Sequence, residues 1–268
     1  MYRVEDSYWW YRGMRAFARR FVPELFPLAA GVRLLDAGCG TGANLAHVRD
    51  AGSDLTRVVG LDCSLTALGF CARRGLRLLV LGSAEALPFR EEVFDAVTCH
   101  DLLYTLPHDD VALAEIFRVA RNGALLYVTA AAFDWLKGEQ DAATHGLRRY
   151  TDPGMRTKVS RAGFRVERSS YANTLMVLPV FLIRRLRATL APASKQTDAV
   201  SEFHLAPGVV NGLLTALLSF EAAVASRVRL PVGSTLVMRA RKETPEGAGL
   251  LRAAGRRERG WRHRCGHP

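Results

Sequence analysis

Residues 34–45 read LLDAGCGTGANL, an apolar run that ends in an acid and breaks into Gly38-Cys39-Gly40-Thr41-Gly42 before helical spacing resumes. Glycine adopts left-handed backbone without penalty, and a bare turn from strand to helix lets a ligand approach the N–H groups at the helix start. A strand followed at once by a helix commits the chain to βα units, and so to a parallel sheet covered on its faces.

The unit repeats. Strand-like runs stand at 33–37, 57–62, 78–82, 94–99 and 124–129, with helix-period stretches near 43–51, 64–74 and 109–121 between them. Residues 151–171 then read as a helix capped by Thr151 or Asp152, with Pro153 in its first turn and Gly163 as its stop, followed by a strand. GSTLVMRARK (233–242) alternates and is expected beside FRVERSSY. The prediction is an α/β, doubly wound, seven-stranded and mostly parallel sheet with helices on both faces, an N-terminal helical lid, and a helical insertion before the last strand.

This divides the chain into an aromatic, helical cap (1–29), a ligand-binding core (30–171), an insertion on the acceptor side (172–232), the last core strand (233–242) and a basic tail expected to be disordered (243–268). The net charge is +11, but six Arg and one Glu in 252–268 supply +5 of it, and that segment has no amphipathic period. The body lacks a dense Lys/Arg stripe or an RNA-binding module, so no nucleic-acid partner is expected. Five cysteines without a CxxC pair argue against a disulfide framework or a zinc site and fit a reducing cytoplasm. The Tyr8–Tyr11 aromatics precede a helix with no secretory pattern. The run Leu175–Ile183 is nine residues, too short to cross a bilayer, though with Arg184, Arg185 and Arg187 it suits weak membrane-surface contact.

Two ligand classes use such a glycine turn. GCGTGA fits the dinucleotide pattern G-x-G-x-x-G/A, and Asp62 stands 24 residues after Gly38, where a ribose-binding acid belongs. Asp36 separates them, because a carboxylate repels a pyrophosphate and attracts an ammonium. S-adenosylmethionine carries an ammonium and no phosphate.

With these residues in view, the stretch resembles motif I of the class I, Rossmann-like S-adenosylmethionine-dependent methyltransferases. VVGLDCS (58–64), GSAEALPF (82–89), FDAVTCHDLLYTLP (94–107), GALLYVTA and RYTDPGMRTKVSRAGF match later segments in order. SYWWYRGMR and HGLRRYT are similar to a bacterial small-molecule, type 11-like subgroup. The resemblance implies S-adenosylmethionine as cofactor and S-adenosylhomocysteine as product, with no metal. It places Asp36, Gly38, Gly40 and Gly42 on the donor, Asp62 and Cys63 at the ribose, Ser83, Ala84 and Glu85 at the adenine, and His100 nearby.

Methyl transfer is an in-line displacement, so alignment of donor and nucleophile is the main requirement. A base is needed only for a protonated nucleophile; His100, Asp101, Tyr104, His108, His145 and Tyr150 are the candidates, of which His100 and His145 are assigned catalysis. Tyr11, Tyr104, Arg149 and Tyr150 are assigned to a small-molecule acceptor, a specialised metabolite or a glycan or lipid precursor. A nicotinamide-dependent oxidoreductase and a non-catalytic S-adenosylmethionine-binding protein are the alternatives. Nothing in the sequence indicates the oligomeric state.

Overall fold

The computed structural model describes residues 2, 4–138, 141–142, 144–177 and 208–243. Seven strands, β1 (Leu34–Ala37), β2 (Val58–Asp62), β3 (Leu79–Leu81), β4 (Phe94–His100), β5 (Ala120–Ala131), β6 (Phe164–Ala172) and β7 (Thr235–Lys242), form one sheet in the order β3-β2-β1-β4-β5-β7-β6. β7 runs antiparallel between β5 and β6; the other pairings are parallel. The strand order reverses between β1 and β4, and the crevice at their carboxyl ends is where open α/β sheets bind ligands.

Helices α1 (Trp9–Phe21), α2 (Ala43–Asp50), α3 (Leu65–Arg73), α4 (Asp109–Val119), α5 (Asp152–Arg161) and α6 (Gly208–Ala225) cover the sheet. The Ser64 hydroxyl caps α3 by accepting from the Ala67 N–H at 3.2 Å, and Thr151 caps α5 by accepting from Gly154. On one face Leu113, Ile116 and Met155 pack over Phe94 and Leu126. On the other, Phe17, Phe21, Leu45 and Leu218 pack over Leu34 and Tyr127.

One expectation changes. Ala120 and Arg121, read as the end of a helix, begin β5 instead: Ala120 is fully buried and pairs with Phe94, and Arg121 Nη1 reaches Asp95 Oδ1 at 2.9 Å. Pairing and burial there outweigh a modest helical preference.

The N-terminal helix is a structural layer as well as a cover. Phe17, Ala18 and Phe21 are buried against the sheet, and Gly13 lets α6 approach so closely that an added Cβ would meet Leu218 Cγ at 2.5 Å.

Of the insertion, α6 is described, whereas 178–207, including Arg184, Arg185 and Arg187, lies outside the described residues, as does the tail from 244. Over its 18 residues α6 has a mean hydropathy of 1.6, long and apolar enough to cross a membrane, which the nine-residue run did not suggest. Here it packs on α1 through Leu218, Ala222 and Ala225, and its buried Glu221 accepts the Thr174 N–H at 2.9 Å.

Candidate active site

Register aligns Asp36 of β1 with Thr98 of β4, and Thr98 with Tyr127 of β5. The Thr98 hydroxyl donates to Asp36 Oδ1 at 2.8 Å, while Oδ2, equally buried, has no hydrogen-bond partner. Burial pushes the Asp36 carboxyl up to about 7; the Thr98 hydrogen bond opposes the rise and the Asp62 charge adds to it. A cleft with room for about one water runs from Asp36 past Thr98, His100 and Tyr127 to Arg15, Asn44 and His47. A buried carboxylate oxygen lacking a donor is costly unless a ligand or water supplies one.

The glycine turn wraps the same spot. Gly38 and Gly42 have φ of +72° and +80°, and an added Cβ would meet Leu102 Cδ1 at 2.8 Å and Leu76 Cδ1 at 2.5 Å respectively. Gly40, at φ +55°, has nothing within 4 Å of that position, so its outer side is open. Asp62 secures the turn: its Oδ2 accepts the Gly40 N–H at 2.8 Å and its Oδ1 the Ser64 N–H at 2.9 Å. Cys63 beside it is exposed.

The N-terminal segment straps over this turn. Buried Glu5 accepts from the Thr41 hydroxyl and from Arg74 Nη2, Arg74 Nε donates to Thr41 O at 3.0 Å, and Arg74 Nη1 holds Asp6 at 2.9 Å. Arg15 donates to Glu5 O at 3.0 Å.

Across the switch point, β4 ends in His100 and Asp101. The His100 ring lies edge-on to Tyr127 with centroids 5.4 Å apart, and burial drives its imidazole down to about 4, leaving it neutral and weakly basic. Asp101 takes φ +50°, its N–H shared between Thr129 O at 3.0 Å and Thr129 Oγ1 at 3.1 Å. Burial raises its carboxyl to about 6, against a hydrogen bond from Thr129. Tyr104 is raised to about 12 and Tyr11 further, by burial first, and both respond to the Asp101 charge. Tyr11, Asp101 and Tyr104 are therefore one electrostatically linked cluster.

Residues 144–150 dock on that cluster, with Leu147 N–H donating to Tyr104 O at 2.8 Å and Gly146 against the Tyr104 ring. Arg149 forks onto Asp141 at 2.7 and 3.0 Å and donates to Ala132 O at 2.9 Å, so its charge closes the loop from inside. His145 is exposed at φ +55°. The Tyr150 hydroxyl donates to Asp109 Oδ2 at 2.5 Å and lies behind the mouth, in a network with Arg148 and Lys158.

Ser83, Ala84 and Glu85 form the turn after β3. Ser83 Oγ accepts the Glu85 N–H at 3.1 Å, Ala84 is buried, and Glu85 Oε1 accepts the His108 N–H at 2.7 Å, capping α4. Glu85 thus offers a ligand its backbone more than its carboxylate.

Structure adds Glu5, Arg15, Thr98 and Asp141 to the site. Their signals in sequence are single polar residues on distant segments; Thr98, inside an otherwise apolar strand opposite an acid, is the one that patterning marks. Among the described residues no group of three His, Cys, Asp or Glu side chains stands together to hold a metal.

The strand order, the glycine turn after β1 and the acid ending β2 define the class I S-adenosylmethionine-dependent methyltransferase fold. Residues 35–128 match the family described as a methyltransferase domain. It is 32% identical over 168 residues to a phthiotriol/phenolphthiotriol dimycocerosates methyltransferase of Mycobacterium ulcerans, covering 57% of this chain and 58% of that one. It is 40% identical over 111 residues to a demethylmenaquinone methyltransferase of Renibacterium salmoninarum, covering 41% and 46%. The chain thus spans about half the length of these relatives. The crystal structure of the [4+2]-cyclase SpnF superposes with a TM-score of 0.54 at 23% identity, over 87% of this chain and 81% of that one, a likeness of fold.

Proposed function

We propose that this protein transfers a methyl group from S-adenosylmethionine to a small, largely apolar acceptor by in-line displacement. One observation carries the donor: the buried, unpartnered Asp36 Oδ2 beside the glycine turn. The donor's ammonium answers that oxygen, whereas a dinucleotide's pyrophosphate would be repelled. Open space at Gly40 accommodates a ligand against the backbone. These residues fit the group.

Asp36, with Gly38 and His100 in the walls, holds the amino-acid end. Asp62 and Cys63 take the ribose, since each Asp62 oxygen accepts one backbone N–H and keeps further acceptor capacity. Ser83, Ala84 and Glu85 border the adenine. When bound, the donor supplies an electrophilic methyl on sulfur; the chain aligns donor and nucleophile and excludes water.

For the acceptor, the Tyr11–Asp101–Tyr104 cluster gives an aromatic mouth, with Arg149 and Tyr150 bracing it from behind and His145 at the surface. The named acceptors of the similar mycobacterial and Renibacterium enzymes support a lipid-like or quinone-like class, and the exposed apolar side of α6, at Val209, Leu213 and Phe220, supports contact with a membrane surface or lipid.

Calorimetry with S-adenosylhomocysteine and with NAD, followed by turnover against phenolic, amine, indole, sugar and prenyl compounds with mass detection, tests this. A micromolar complex with the former and a product 14 Da heavier are expected; equal or tighter binding of NAD sinks the donor assignment, and binding without turnover favours a non-catalytic role.

A further inference from the structure

We propose that Asp101 is the general base of the acceptor site, and that the acceptor is an un-ionised hydroxyl compound, a phenol or enol. The inference rests on the methyltransferase reading and names its base and substrate class.

Position comes first. Asp101 follows the last residue of β4 at the switch-point crevice, with φ +50° where most side chains are disfavoured. Its forked N–H bond to Thr129 fixes that backbone. Among the described residues no Lys or Arg pairs with it: the neighbouring guanidinium of Arg149 is committed to Asp141, and that of Arg15 donates to the Glu5 and Asp6 carbonyls. A carboxylate left without a cation, held by Thr129 and acting on the Tyr11 and Tyr104 phenols, keeps its basicity for a ligand.

The neighbours assign the work. His100 points into the cleft with Asp36 and Tyr127, and its lowered imidazole is a poor proton acceptor. The Asp101 carboxyl, raised to about 6, is ionised at neutral pH yet more basic than an ordinary carboxylate, which suits proton transfer. The mouth carries Asp101 without a cation beside it, so an acceptor arriving as a carboxylate is repelled, while a neutral O–H meets an acceptor oxygen and the Tyr11 and Tyr104 rings.

In the step, Asp101 takes the hydroxyl proton as the acceptor oxygen bonds to the methyl carbon. The methyl–sulfur bond breaks, its electron pair stays on sulfur, and the sulfonium becomes a neutral thioether. Asp101 then releases the proton to solvent.

The groups that share a field with the Asp101 carboxyl are Tyr11 from α1, Cys99 and Tyr127 from the strands and Tyr104 after β4, and Thr129 of β5 hydrogen-bonds to it. Of those with a resolved shift, Asp101 alone changes charge between about 5 and 8. With donor saturating, so that Asp36 drops out, turnover should rise with pH through about 6 and level off.

The test uses the full chain with 1-naphthol, 1-naphthoate and 1-naphthylmethylamine as matched probes, and Asp101→Asn, since Asn tolerates the left-handed backbone. Expected are methylation of 1-naphthol above the other two, a roughly 100-fold or greater loss of kcat in the variant, and S-adenosylhomocysteine affinity within about twofold of the parent. Carbon-13 NMR of labelled aspartate in the free protein should show a carboxyl titrating near 6 that vanishes in the variant. Retained kcat, or an Asp101 carboxyl titrating in the ordinary range, overturns the base. Preference for the acid or amine probe, or no naphthol methylation by a protein that binds S-adenosylhomocysteine, overturns the acceptor class. Failure to bind S-adenosylhomocysteine instead fails the donor reading, and the NMR titration still decides Asp101.

Discussion

The Thr98 hydroxyl holds one oxygen of Asp36 at 2.8 Å and leaves the other buried with no partner. The carboxyl therefore titrates near 7, above its unfolded value of about 3.9. The unfolded chain releases this proton first, so the group costs stability progressively above about pH 4 and fully above about 7. Asp36→Asn should stabilise the free protein at pH 8 by on the order of a few kcal/mol and leave it nearly unchanged at pH 4. Thermal melts across pH check this, and equal shifts at both ends would contradict it.

The same carboxyl should make donor binding depend on pH. An ammonium pairs with the ionised form, so S-adenosylhomocysteine affinity should fall by up to about tenfold per unit below pH 7 and be flat above it. Calorimetry from pH 5.5 to 8.5 reads the slope, and Asp36→Asn should abolish it.

Asp62 holds the glycine turn through Gly40 and α3 through Ser64. Removing it with Asp62→Ala should weaken S-adenosylhomocysteine binding by about 1–3 kcal/mol, from the lost charged acceptor and the loosened turn. Unchanged affinity in a folded variant would refute the role.

Two glycines of one turn should behave differently. At Gly42 an alanine meets Leu76 and Cys71 as well as a φ of +80°, so Gly42→Ala should destabilise the fold by more than the roughly 1–2 kcal/mol of backbone strain alone. At Gly40 the methyl group meets open space, so Gly40→Ala should cost only that strain while obstructing the donor. Denaturant titration and calorimetry on the pair separate stability from binding.

Arg149 and Asp141 are a buried pair, 8% and 4% exposed. Arg149→Ala leaves an uncompensated buried charge and should destabilise the protein by roughly 3–5 kcal/mol. His145→Ala, at the surface of the same loop, should leave the melting temperature unchanged. A stable Arg149→Ala that has lost only turnover would return Arg149 to direct acceptor contact.

Much of the proposed donor side was legible because its residues are local in sequence. A glycine turn needs left-handed backbone at fixed offsets, a strand buried on both faces reads as an apolar run, and the acid ending the next strand follows at the length of one βα unit. Asp36, Gly38, Gly40, Gly42 and Asp62 were accessible on that ground.

The acceptor side was not legible in this way. His100 and Asp101 are adjacent in sequence and look equivalent, and only the ends of β4 and β5 decide that one ring turns into the cleft beside Tyr127 while the other carboxyl stands with Tyr11 and Tyr104. Arg149 looks like a free fork until Asp141 closes on it. Sequence by itself determined the alternation of strands and helices and the glycine turn after β1, because short-range backbone geometry dictates both. Tertiary structure decided which polar groups are buried, paired or left unsatisfied, because desolvation and ion pairing depend on neighbours that lie dozens or hundreds of residues apart along the chain.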